Sequence, residues 1–327
     1  MGLKEAAVNL IWRFLIKYYS DDEHVTARLI GSLASRYFDP KKYLKTFRIW
    51  EEREVHITPV GYSFPIPDTR YMTEDIWLKG STLSGINMNE EVQLDYLTAI
   101  FPRFRAEYDG IPHAPGDKRE FHFNNGLFDG MDALVLYCMV RHFRPNTIIE
   151  VGSGYSSRLS AQAIRKNGEG KLVCIEPYAD PLLNEGFPEL SVHLKKRVEQ
   201  LDPTIFQKLE ANDILFIDSS HVIKIGGDVN FLFLDIIPNL KPGVIIHVHD
   251  IFFPNEYPRE WVLDRLNFWS EQYLLQAFLS FNNEFEILFS NSYLATKHKK
   301  QMMETFPKSP WCGGSSFWFR RKLKPNH

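Results

Sequence analysis

Thr147-Ile148-Ile149-Glu150-Val151-Gly152-Ser153-Gly154-Tyr155-Ser156-Ser157 is the stretch that decides how this chain is read. The β-branched run from Thr147 to Val151 predicts a strand, the glycines a tight turn, and Ser156 to Lys166 a helix. A glycine-rich turn in that setting lets the backbone approach a ligand that a Cβ would block, and Ser156 or Ser157 can cap the helix. Taken alone, Gly-x-Gly also fits an ordinary strand–helix turn.

Working outward, short apolar runs predict strands at Leu172–Ile175, Ser191–Leu194, Ile214–Ile217 and Val244–Val248. Helical patterns separate or follow them at Pro203–Glu210, Asp228–Ile237 and Arg259–Ser280. Strands of this kind joined by helices imply an α/β, doubly wound, mostly parallel sheet covered on both faces. Phe285–Phe289 and Ser316–Arg320 read as a closing antiparallel pair, bringing the sheet to seven strands. Before residue 121 the texture differs. Residues 1–55 read as helical, with caps at Ser20-Asp21-Asp22 and a break at Asp39-Pro40, and residues 84–108 read as helical again. Between them Pro59, Pro65 and Pro67 prevent a regular element over residues 56–70. The expected organisation is therefore an N-terminal helical cap region with a proline-rich segment, residues 1–120, and a ligand-binding α/β domain, residues 121–327.

Composition narrows the function. The chain has 327 residues, 44% hydrophobic and 24% charged, with a net charge of −3, which is ordinary globular composition and gives no sign of a polyanion partner. Basic runs at Lys195-Lys196-Arg197, Lys297–Lys300 and Arg320-Arg321-Lys322 read as solvated faces. The three cysteines, Cys138, Cys174 and Cys312, form no C-x-x-C pair and point to a reducing, cytoplasmic compartment. Met1 to Tyr19 is helical in spacing but interrupted by Arg13 and Lys17, so no transmembrane segment is expected. Ala6 stands where N-myristoylation wants Ser or Thr. The segment reads as a helix packed on its own protein or on a subunit partner, leaving open a homo-oligomer through the N-terminal region and, second to it, a membrane-surface helix.

The second strand ends at Glu176, about twenty residues beyond the turn, where a carboxylate reaches ribose hydroxyls. That feature serves both dinucleotide and adenosyl-methionine sites. A dinucleotide site wants a third glycine, where this chain has Ser157, and Glu150 would repel a pyrophosphate while helping to hold a cationic amino group. An NAD(P)-dependent oxidoreductase is thus the alternative enzyme reading, and a non-catalytic adenosyl-methionine-fold assembly protein the alternative outside enzymes.

Residues 121–320 resemble a class I S-adenosylmethionine-dependent methyltransferase in the segments Ile148–Ser157, Cys174–Pro177, Asp213–His221 and Leu240–Asp250. Leu240-Lys241-Pro242-Gly243 before a hydrophobic strand is specific to that fold. Within the class, the chain is similar to bacterial small-molecule O-methyltransferases of the macrocin and cephalosporin-pathway type, and Gly61–Arg70 resembles a segment of bacterial relatives. The resemblance says little about residues 1–55. It implies a Rossmann-like methyltransferase fold, with S-adenosylmethionine bound by Glu150, Gly152, Ser153, Gly154, Tyr155, Ser156, Glu176 and Asp218.

By the same resemblance the first, fourth and fifth strands are neighbours, so their ends bring Gly152–Gly154, Asp218–His221 and His249-Asp250 into one crevice. Asp218, His249 and Asp250 could hold a divalent metal that lowers the pKa of an acceptor hydroxyl. Metal-dependent relatives such as catechol O-methyltransferase carry acidic or amide ligands there. His249 weakens the case for Mg and leaves Mn, Fe or Zn open. The plainer reading has Asp218 and Asp250 bonding loop amides with no metal. His221 is the candidate general base, with a fourth ligand or a capping histidine as its other readings. His247 reads as a core histidine, and Lys224 with Asp228 as a pair at the start of a helix. Phe252, Phe253, Tyr257 and Trp261 could wall a planar or sugar acceptor, though core packing explains about half of them equally well. One or two of His122, Asn124, Asn125 and Asp129 are expected to touch the ligand. Asp218-Ser219-Ser220-His221 lacks the Pro-Pro-aromatic run of enzymes that methylate amino groups on bases. No nucleic acid is expected, and the acceptor is read as oxygen on a small molecule or sugar.

Overall fold

The computed structural model describes residues 40–178 and 181–323, with positions 24, 27, 28 and 30–32 before them. The helix expected over residues 1–19 and its caps at residues 20–22 lie outside the described residues. Two compact units divide the chain between Met72 and Thr73. In the first, helix α1 (Pro40–Glu51) opens on a proline, whose fixed φ suits a first helical turn. Tyr43 packs edge-on against Phe47 and Trp50. Residues 56–70 form no strand or α-helix, as three prolines require; a single 3-10 turn, Thr69–Tyr71, is capped by Asp68.

The second unit is built on one seven-stranded sheet in the order β3-β2-β1-β4-β5-β7-β6. Its strands are β1 (Thr147–Val151), β2 (Lys171–Ile175), β3 (Leu190–Leu194), β4 (Ile214–Ile217), β5 (Ile245–Val248), β6 (Phe285–Ser290) and β7 (Phe317–Arg321). The first five run parallel, and β7 pairs antiparallel with both β5 and β6. In the centre, Ile149 faces Val173 on one side and Leu215 on the other, and Leu215 faces Ile246. Every residue of β4 and β5 is buried, which is why those segments read as continuous apolar runs rather than alternating ones. Residues 73–120, grouped with the cap on sequence, share this unit's core: Phe101 packs on Phe289, and Gln93 accepts the backbone N–H of Ser290.

Helix α2 (Gly130–Phe143) starts at Asp129, whose carboxylate accepts the Gly130 N–H at 2.7 Å, and stops at Arg144, left-handed at φ 48 just before Pro145. Helix α3 (Tyr155–Asn167) follows the glycine turn and ends on left-handed Gly168.

Two helical expectations need correcting. Pro203–Lys208 is a 3-10 segment, and the single helix expected over Arg259–Ser280 is two, α4 (Arg259–Leu263) and α5 (Glu271–Leu279). The break between them passes through left-handed Leu266, and its far end donates the Ser270 and Glu271 N–H groups to the His221 carbonyl. Those tertiary hydrogen bonds replace the intrahelical ones that a continuous helix would have made. Helix α6 (Asn291–Lys297) follows β6 directly, capped by the Ser290 hydroxyl. No helix among the described residues is long and apolar enough to cross a membrane.

Candidate active site

The carboxyl ends of β1, β4 and β5 open into a cavity of about 840 Å³. The donor side begins at Gly152, whose φ of +81 is left-handed. A Cβ there would lie 1.7 Å from the Asp218 carbonyl oxygen, so the neighbouring strand end, before any ligand, demands this glycine. At Gly154 the situation reverses: a Cβ would meet no atom of the described residues within 4 Å. The Gly154 N–H donates to Ser157 Oγ at 3.0 Å, so the serine at the third-glycine position holds the turn.

Gly152, Ser153, Gly154, Tyr155, Ser156, Glu176 and Asp218 all line the cavity, as expected of donor-binding residues. Glu176 also borders a second cavity of about 450 Å³, with Pro177, Tyr178 and Arg197, which shares Gly152 and Asp218 with the first. Its carboxylate accepts the Tyr178 N–H at 2.6 Å. Glu150 is placed differently. It is fully buried, lines neither cavity, and takes a hydrogen bond from Ser156 Oγ. Burial pushes its carboxyl up to about 8, against the hydrogen bonds of Ser156 and Ser157. It braces the turn from behind.

On the acceptor side, His249 Nδ1 lies 3.6 Å from Asp218 Oδ1 and 3.5 Å from Asp250 Oδ1. His221 Nε2 lies 3.3 Å from Asp218 Oδ1 and 3.5 Å from Asp250 Oδ2. Asp218, His249 and Asp250 reach the cavity wall; His221, only 7% exposed, sits behind them. Both His221 and Asp250 are left-handed, at φ 60 and 57, a costly conformation for residues with a Cβ. Asp250 is secured by the Ser315 hydroxyl at 2.8 Å.

Two carboxylates that sequence reasoning missed complete the cluster. Glu271, 1% exposed, accepts from His221 Nδ1 at 2.9 Å, and Trp269 lies against the imidazole with ring centroids 4.4 Å apart. Asp132 faces His249 Nε2 at 3.6 Å, beyond hydrogen-bond reach, and itself accepts the Ser315 and Ser316 N–H groups and the Asn291 amide. Burial alone would pull His221 down, but Asp218 and Glu271 outweigh it and raise the imidazole to about 10. The same contest, won by Asp250 and Asp218, holds His249 well above its ordinary value. Burial would raise Asp218 and Asp250, yet the imidazoles keep both below the usual carboxylate range.

The remaining candidates separate cleanly. Phe252 and Trp261 line the cavity, whereas Phe253 and Tyr257 are core. Of the loop before α2, Asp129 lines it with Gly126–Phe128, while His122, Asn124 and Asn125 do not. Asn125 instead pins the loop through bonds to the His122 and Phe128 carbonyls. His247 is core, stacked on Phe216 at 3.9 Å and bonded to Ser316 Oγ. Asp228 accepts the Ser220 N–H and hydroxyl, and Lys224 reaches it at 3.9 Å.

Residues 149–251 match the family model described as a methyltransferase domain. An uncharacterized protein of Archaeoglobus fulgidus is 32% identical over 176 residues, covering 50% of this chain and 79% of the relative. The chain belongs to the class I S-adenosylmethionine-dependent methyltransferases, whose domain spans the glycine turn through Asp250. Similar solved structures include the O-methyltransferase TomG of Streptomyces achromogenes, 13% identical, with 73% of this chain and 92% of that one covered at a TM-score of 0.37. An O-methyltransferase from Bacillus cereus is 16% identical, with 70% and 96% covered at a TM-score of 0.33.

Proposed function

We propose that the protein is an O-methyltransferase acting on a hydroxyl of a small molecule or sugar, with a divalent cation held by Asp218, His249 and Asp250. The observation that carries this reading is the convergence of those three side chains on the wall of the cavity that Gly152–Ser156 also line. The set suits a metal. Separations of 3.5 and 3.6 Å between His249 Nδ1 and the two carboxylates fit ligands bound at about 2.0–2.2 Å. Among the described residues buried His249 Nε2 has no hydrogen-bond partner but faces Asp132, as a metal-bound imidazole faces an orienting carboxylate. Mixed nitrogen and oxygen donors favour manganese, iron or zinc over magnesium. A cation there would lower the pKa of the acceptor hydroxyl.

S-adenosylmethionine supplies a methyl group on a sulfonium that departs as a neutral thioether. Gly152–Ser156 and Glu176 hold its two ends, and Phe252 and Trp261 keep water from the reacting atoms. His221 Nε2, which its carboxylate neighbours otherwise keep protonated, would take the hydroxyl proton once a cation on Asp218 and Asp250 leaves the imidazole neutral. The acceptor oxygen would bond to the methyl carbon as the carbon–sulfur bond broke. Glu271 fixes the ring so that Nε2, not Nδ1, faces the cluster.

One observation favours a second role for His221, as a fourth ligand: it stands behind the wall, with its ligand atom and those of Asp218 and Asp250 within 4.8 Å of one another. His221→Ala separates the two. Bound metal and donor affinity retained with turnover lost supports the base; loss of bound metal supports the ligand; full retention of both metal and turnover rejects both roles. The three cysteines carry no disulfide, which supports a cytoplasmic placement.

A further inference from the structure

We infer that the acceptor is a cation, a hydroxyl compound bearing a protonated amine, held against Trp261 and Trp311 with Asp129 as its counter-charge. This rests on the methyltransferase reading above and names the substrate class of that same site.

The charge of the cavity wall is one-sided. Asp129, Asp132, Glu176, Asp218 and Asp250 line it, with His249 the single basic side chain and no lysine or arginine among the described residues. A divalent ion would match Asp218 and Asp250 with a neutral His249 as its third ligand, and the donor brings one net positive charge. Two of the five carboxylates then stay unmatched, and an ammonium at Asp129 meets one of them. An anionic acceptor, whether phosphate, carboxylate or a nucleotide-linked ester, would enter beside carboxylates with no cation to meet it.

The walls agree with this. Phe252 and Trp261 meet edge-to-face at 5.4 Å, and Trp311, 48% exposed, stands at the same cavity. Indole faces attract ammonium groups as well as apolar surface. Arg265 lies 5.6 Å from the Trp261 ring but is paired with Glu260 at 2.8 Å and does not reach the cavity. Asp129 is half-buried, and among the described residues the one hydrogen bond to its carboxylate, from the Gly130 N–H, leaves an oxygen able to face a ligand.

The test uses the full chain, replenished with manganese and loaded with S-adenosylhomocysteine, whose own binding is measured first by calorimetry. Benzylamine, benzyl alcohol and benzoate share a ring and differ in charge. Their affinities, read by ligand-observed NMR, should rank in that order, with the amine leading the alcohol by about tenfold. Asp129→Asn retains a capping side chain and, with an unchanged melting temperature, should reduce that lead to about twofold or less while leaving the alcohol's affinity intact. Should the variant fail to fold, the ranking in the parent protein decides alone. Benzoate binding as tightly as benzylamine, no binding of any of the three, or an undiminished lead in folded Asp129→Asn overturns the proposal. Failure of S-adenosylhomocysteine to bind would instead remove the donor reading, and this proposal with it.

Discussion

Alanine placed at Gly152 and at Gly154 should damage the protein in two different ways, although both glycines belong to one turn. At Gly152 the new Cβ would lie 1.7 Å from the Asp218 carbonyl oxygen, in a residue whose φ is +81. Ordinary contact needs roughly 3.3 Å or more, so β1 and β4 must part just beyond the Val151–Ile217 pair. The left-handed backbone costs alanine about 1–2 kcal/mol and the forced strand displacement about 1–3 more. At about 2–4 °C per kcal/mol for a unit of this size, the melting temperature should fall by roughly 4–20 °C. At Gly154 the added Cβ would meet no atom of the described residues within 4 Å, so the fold should be nearly indifferent, with a shift within about 2 °C. There the methyl group projects into space the donor needs, and S-adenosylhomocysteine affinity should drop by about thirtyfold, or about 2 kcal/mol. Scanning calorimetry and isothermal titration of the two variants give both numbers. A Gly152→Ala protein as stable as its parent, or a Gly154→Ala protein that binds the thioether normally, would refute this account of the turn.

Glu271→Gln removes the charge behind His221, and loss of a charge-assisted hydrogen bond worth about 1.5–3 kcal/mol should lower turnover roughly 10- to 100-fold with donor affinity kept. Parental kinetics in that variant would show that Glu271 does not orient the base. Glu150, raised to about 8 by burial, adds stability that is full below its unfolded value near 4.5 and is lost as pH rises through about 8. Glu150→Gln should therefore flatten the decline in melting temperature between pH 5 and 8, a change on the order of 2–4 kcal/mol; an unaltered slope contradicts the assignment. After EDTA treatment, manganese or zinc at about a hundredfold excess over Kd should restore about 2.7 kcal/mol, seen as a rise of roughly 5–10 °C in melting temperature. Magnesium should do less and Asp250→Asn should abolish the response, whereas equal responses in parent and variant would move the metal elsewhere.

The sheet was readable in the sequence because β1, β4 and β5 are buried on both faces, and burial of that kind leaves unbroken apolar runs bounded by polar turns. The crevice followed from it, since topology alone brings Gly152, Asp218 and Asp250 together once β1, β4 and β5 are adjacent. What stayed hidden depended on contacts between distant segments. Glu271 meets His221 across fifty positions of chain, at the end of a helix break that the aromatic and aliphatic spacing of residues 259–280 disguises. Asp132 lies within the apolar run of α2, where a lone carboxylate looks like an irregularity until its bonds to the β7 approach are seen. Glu150 was legible as part of the motif but not in its orientation, because a strand-end side chain can face either the ligand or the core. A positive φ at His221 had little local signal, since histidine is enriched in that region yet still visits it seldom.

Calorimetric titration of the metal-replenished protein with S-adenosylhomocysteine, using NADH as the control ligand, tests the central claim most directly. Saturable one-to-one binding of the thioether with no heat from NADH is the predicted result. Binding of NADH without S-adenosylhomocysteine would contradict the claim and return the glycine turn to a dinucleotide.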